Sequence, residues 1–130
     1  MRLVSRSASG RITPGSVIDT PLWSPDLLQA AVAISGASLP EEGIAFDGHN
    51  PLEVLTGETK DSPHQSFFFQ YQKHAALRWG DWKIVREKPD QAWQLFNLSS
   101  DLGETKDRSA DEAERVEALS AEFERWRRQF

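Results

Sequence analysis

Between Phe67 and Leu98 short runs of aromatic and β-branched residues alternate with gaps carrying Gly, Asp, Pro, Lys and Gln, the chemistry of turns between antiparallel strands. The pattern predicts four strands, over about 67–71, 75–79, 82–86 and 93–97. Ala75 to Trp79 and Trp82 to Arg86 are separated only by Gly80-Asp81, a connection with Gly first that suits a type II′ turn and fixes the register. Alternation then sends Trp82, Ile84 and Arg86 to one face and Lys83 and Val85 to the other, so at least one face needs an apolar cover. That cover is predicted at the C-terminal end. Over about 110–128, Val116, Leu119, Phe123 and Trp126 recur at spacings of three and four on an otherwise charged segment. Ser109 with Glu112 reads as a capping box, and acids open the helix while Arg125, Arg127 and Arg128 close it, complementing its dipole. Asp111 with Arg115 and Glu124 with Arg128 form i,i+4 pairs, so this charge reads as a solvated face.

The first half is less periodic. Leu3-Val4 reads as the end of a strand, and RSASGRITPGS as a loop. Ser24-Pro25-Asp26 has the marks of a helix start, and Leu27, Leu28, Ala31, Val32 and Ile34 follow at helical spacing until Gly36, predicting a core helix over about 24–35 with one side buried. Ala37 to Pro63 reads as loop with one helical turn at Pro51 to Leu55. Two segments result, 1–63 and 64–130, the second holding the sheet and its helix in an α+β arrangement.

Composition narrows the function classes. With a net charge of -5 the chain lacks the clustered basic surplus of a nucleic-acid binder, and acidic membranes are equally poor partners. The absence of Cys removes disulfides, thiolate metal sites and a cysteine nucleophile. No apolar run reaches membrane-spanning length, and Arg2 and Arg6 are followed by no signal-peptide core, so the chain as written is expected in the cytoplasm.

Candidate chemistry is sparse. No Ser stands in G-x-S-x-G, and no P-loop or dinucleotide fingerprint occurs. Asp47-Gly48-His49-Asn50 offers oxygen and nitrogen donors, but turn and N-cap roles account for Asp47 and Asn50, and no metal ligand is assigned. His64, behind Pro63 in a polar linker, reads as exposed. Asn97-Leu98-Ser99 matches a glycosylation sequon, which matters only in a secreted eukaryotic protein. No catalytic residue is assigned. The best candidates for substrate binding are Lys73 and His74, beside Tyr71 and Gln72 between the first two strands: a point charge and a hydrogen-bond donor for an anionic group, or an ordinary polar hairpin loop.

Taken together, SGRITPGSVIDTPLWSPDLLQ, FDGHNPLEVLTG, SFFFQYQKHAALRWGDWKIV and WQLFNLSSDLGET, followed by an amphipathic helix, resemble the C-terminal part of the sulfatase family from about Ser9 to Phe130. The chain departs from the family pattern at Ser9, where Pro often precedes Gly, and at Leu102, where Pro is usual after Asp101. The resemblance implies a four-stranded antiparallel sheet with a packed helix, preceded by the tail end of a large α/β domain related to alkaline phosphatase. It also implies sulfate-ester hydrolysis by a formylglycine made within C/S-x-P-x-R, beside a calcium ion. No position here matches that apparatus, and the family's active-site Lys would fall before Met1. Calcium and formylglycine are therefore expected only in a missing N-terminal part, and the chain alone is expected to be an inactive fragment. In the intact enzyme, periplasmic or cytoplasmic, it would partner that N-terminal sulfatase domain, close one side of the cleft, and bring Lys73 and His74 to a sulfated small molecule or glycan. The alternative is a stand-alone interaction module using an exposed aromatic face, or a decayed gene product.

Overall fold

The Trp79-Gly80-Asp81-Trp82 hairpin is the centre of the sheet in the computed structural model, which describes residues 3–4, 11–40 and 46–130. Parts of the opening loop (5–10), including Ser9, and of the later loop (41–45) lie outside the described residues. The chain divides into two compact units, Met1–His64 and Gln65–Phe130. Among the described residues no helix is long and apolar enough to cross a membrane.

In the second unit β3 (Ser66–Tyr71), β4 (His74–Trp79), β5 (Trp82–Arg86) and β6 (Gln94–Asn97) form an antiparallel meander in chain order. Gly80 takes φ +58°, the left-handed conformation that the first position of this tight turn demands and a Cβ disfavours. The register pairs Phe68 with Leu77, Leu77 with Ile84 and Ile84 with Leu95, one apolar row across all four strands. Helix α3 (Ala113–Arg127) covers this row with Leu119 and Phe123; Leu77, Ile84, Leu95 and Phe123 are fully buried. Trp126 stacks on Phe68 at 5.0 Å between centroids, and Arg86 lies over Trp93 at 4.3 Å while its guanidinium donates to Glu124 at 2.9 Å.

Three expectations about helix ends are corrected. The helix starts at Ala113, not near 110, and no side-chain cap forms; Ser109 instead donates its N–H to the Asp107 carboxylate, and Asp111 and Glu112 turn back onto the Arg108 carbonyl. Competition from this local Asx-type bond takes Ser109 out of the cap position. The helix charges pair at i,i+3, as Glu112–Arg115, Glu122–Arg125 and Glu124–Arg127, while Asp111 pairs with Arg108 and Arg128 turns its Nε to the Glu124 carbonyl.

The 98–112 connection also finishes the sheet edge. The Leu95 N–H donates to Asp107 Oδ1 at 3.1 Å and the Leu95 carbonyl accepts from Arg108 N–H at 2.7 Å, so the outer side of β6 is partly satisfied. Burial pushes the Asp107 carboxyl up, but the N–H groups of Leu95 and Ser109 outweigh it and hold the pKa below the ordinary value. Asp101 is held low by the N–H groups of Lys106 and Thr105.

In the first unit β1 (Leu3–Val4) pairs antiparallel with β2 (Val17–Ile18). Helix α1 (Pro25–Ser35) ends at Gly36 with φ +71°, as the sequence predicts. Its buried side differs from the expected one: Asp26 and Ala30 are buried, whereas Leu27, Leu28 and Ile34 are exposed. Ser24 makes no side-chain cap; Asp26 reaches back instead, accepting from the Trp23 N–H at 3.0 Å. The short helix α2 (Leu52–Thr56) follows Asn50, whose Oδ1 accepts from Leu52 N–H at 3.1 Å.

Candidate functional site

Among the described residues, Asp26, His49 and His64 bring three chemistry-bearing side chains together in the first unit. Asp26 is 1% exposed, and a buried carboxyl group of this kind needs hydrogen-bond partners. Oδ2 accepts from the Trp23 N–H; Oδ1 accepts from the His49 N–H at 2.9 Å and meets His64 Nε2 at 2.7 Å. The two imidazoles face each other edge to face, 4.7 Å between centroids, and Trp23 lies edge-on to His64 at 5.7 Å. One ligand atom from each of Asp26, His49 and His64 falls within 4.8 Å of the others.

Local features of the sequence place each member. Pro25 starts α1 and sets Asp26 in its first turn, where the helix dipole favours a negative charge. Gly48 sits against that start: a Cβ there would lie 2.4 Å from the Pro25 carbonyl oxygen, so only glycine lets the loop approach closely enough for the next N–H to reach Asp26. His64 is positioned by Ser62, whose Oγ donates to the Pro21 carbonyl at 2.6 Å and accepts from the His64 N–H at 3.1 Å. Thr20 fastens the same segment through the Lys60 carbonyl at 2.8 Å.

The expectation of an exposed His64 is therefore wrong. Its side chain is only 6% exposed, because the Ser62 turn folds it onto the Asp26 carboxylate. Asn50 closes an Asx turn onto the Leu52 N–H but is not the N-cap, since Pro51 holds that position and no side-chain cap forms; His49 has an exposed ring with a committed backbone. Asp26 was legible only as a helix-start acid. Its partners stand 23 and 38 residues downstream, a convergence that no spacing rule reports.

The substrate-binding candidates lie elsewhere. Lys73 and His74 stand at the β3–β4 turn, both exposed, with Gln72 before them at φ +53°. His74 is directly opposite Tyr71 in the register, and Tyr71 is 72% exposed. Phe67, Phe69 and Tyr71 share this face with His74, the face opposite that of Phe68 and Leu77; Phe67 is buried there and Phe69 half exposed.

No protein-family model and no curated protein matches the chain. Solved structures do. Ps i-CgsB superposes with a TM-score of 0.73 at 25% identity, over 91% of this chain and 27% of its own. A structure designated BT33336S-sulf, from work on glycosaminoglycan metabolism by Bacteroides thetaiotaomicron, matches with a TM-score of 0.62 at 25% identity over 76% of this chain and 23% of its own. BT4656, at 18% identity, shares the fold with a TM-score of 0.59 over 80% of this chain and 23% of its own. The chain thus spans about a quarter of the length of these sulfatase structures, and its sheet and C-terminal helix have the fold of the sulfatase C-terminal subdomain.

Proposed function

We propose that this chain is the C-terminal part of a sulfatase-family sulfuric ester hydrolase acting on a sulfated sugar or glycan. The observation that carries this reading is the match to Ps i-CgsB over 91% of the chain at 25% identity, together with four motifs in family order. The substrate class follows the same relatives: Ps i-CgsB was solved with k-i-k-neocarrahexaose, and BT4656 with its substrate D-glucosamine-2-N,6-O-disulfate. The residues present include no C/S-x-P-x-R nucleophile motif, so the ester-cleaving step, with its formylglycine and calcium, belongs to a preceding part of the enzyme. On this reading the isolated chain is inactive. Sequencing the genomic DNA upstream of the Met1 codon tests it: an in-frame segment encoding C-x-P-x-R and an Asp-rich metal motif is expected, and unrelated sequence there removes the reading.

The contribution of this chain to substrate is assigned to Lys73 and His74. Both are exposed at one turn beside Tyr71, a grouping able to offer a cation, a hydrogen-bond donor and an aromatic face to a sulfated ring. In the full-length enzyme, Lys73→Ala and His74→Ala are each expected to lower kcat/KM for a sulfated sugar about tenfold, equivalent to about 1.4 kcal/mol of transition-state binding. An unchanged kcat/KM in both variants removes the turn from the substrate site. The exposed Phe69 and Tyr71 support a second reading, a binding module for a protein partner, which gains if the upstream segment proves unrelated.

A further inference from the structure

We propose that Asp26, His49 and His64 form a binding site for a divalent transition metal of the zinc class. The set is two imidazoles and one carboxylate, with one donor atom of each inside a 4.8 Å span. Three protein ligands with one position left for water is the donor count of open zinc sites, and nitrogen donors select zinc and its neighbours over the hard, oxygen-seeking calcium ion. The outer contacts are those a ligand carboxylate needs. The N–H groups of Trp23 and His49 fix the Asp26 oxygens, and the Ser62 turn holds the His64 backbone in place.

A purely structural role accounts for only part of this arrangement. The Asp26–His64 contact and the His49 N–H would fasten two loops to the start of α1 with any side chain at position 49. The His49 ring is not needed for those hydrogen bonds, yet it stands edge to face with the His64 ring at 4.7 Å and within 4.8 Å ligand range of the carboxylate. Donor atoms at zinc distances of about 2.1 Å stand about 3.4 Å apart in a tetrahedron. The 2.7 Å contact between Asp26 and His64 must open slightly, and the exposed His49 ring must close in. On loading, a proton held on a ligating imidazole nitrogen is released to water as the metal takes the lone pair, so affinity falls with falling pH. The proposal stands independently of the sulfatase reading, since it uses only residues of the first unit.

The test uses the full chain with Co2+ as a coloured stand-in for Zn2+. Expected are equimolar Co2+ binding with visible d–d absorption, displacement by Zn2+ and none by Ca2+. His49→Ala should weaken binding more than about tenfold while leaving the metal-free melting temperature unchanged, and His64→Gln should abolish it. Should His64→Gln fail to fold, His49→Ala decides alone. His74→Ala should bind as the parent chain does. The proposal is overturned if the parent chain takes up no Co2+, if His49→Ala binds equally well, or if His74→Ala removes the binding.

Discussion

At the scale of single residues, close approach at Gly48 ties its loop to the start of α1. The backbone there lies against the Pro25 carbonyl, and a Cβ would stand 2.4 Å from that oxygen, a distance that neither backbone segment can absorb without moving. Gly48→Ala should therefore push the loop off α1, lengthen the His49 N–H contact to Asp26 and leave a buried carboxylate short of one donor. The expected cost is about 1–3 kcal/mol, the range for overpacking a close contact. Urea unfolding monitored by Trp fluorescence checks it, and a midpoint equal to the parent chain's would mean that the loop does not depend on this contact. The glycines at 36 and 57 act differently: both end helices with positive φ and have open space around them. For such residues the sequence reveals a stop signal, whereas the crowding at Gly48 depends on a partner more than twenty residues away, which periodicity does not record.

At the scale of elements, the sheet and its cover were legible because each signal is local and repeated. The period-two alternation of Trp82, Ile84 and Arg86, the Gly80 turn and the spacing of Val116, Leu119, Phe123 and Trp126 all describe one apolar interface. The start of α3 was not legible, because the Asp107 carboxylate takes the Ser109 N–H and no side-chain cap forms. Helix α1 misled in the opposite way: its apolar stripe is real in the sequence but exposed, while Asp26 and Ala30 face inward. The 98–112 connection supplies a prediction at this scale. Asp101 and Asp107 have folded pKa values below the ordinary carboxylate value of about 3.9. Their contribution is thus fully present above that value and is lost as pH falls below it through the lower folded values. Urea midpoints should drop between pH 5 and pH 3. The double variant Asp101→Asn, Asp107→Asn should show a smaller drop, and an identical pH dependence would mean that these carboxylates do not anchor the connection.

For the whole molecule, the exposed side of α1 bears on how the chain behaves by itself. Leu27, Ala31 and Ile34 recur at helical spacing with Leu28 beside them, and all four are exposed, a contiguous stripe rather than scattered apolar residues. Burying one such side chain is worth about 1.5–3 kcal/mol, so several in a row favour association with any apolar surface offered. In the proposed enzyme that surface belongs to the preceding sulfatase domain; in its absence the stripe is left to other copies. The purified chain should then self-associate with rising concentration in sedimentation velocity. Leu28→Lys with Ile34→Lys should return it to a monomer while leaving far-UV circular dichroism unchanged, because neither side chain is buried. A parent chain that stays monomeric at high concentration and unfolds cooperatively would count against a stripe made for a missing domain and favour the stand-alone module. The Co2+ experiment does not depend on this stripe, since Asp26 is buried on the helix that exposes Leu28 and Ile34, and His49 and His64 come from later loops.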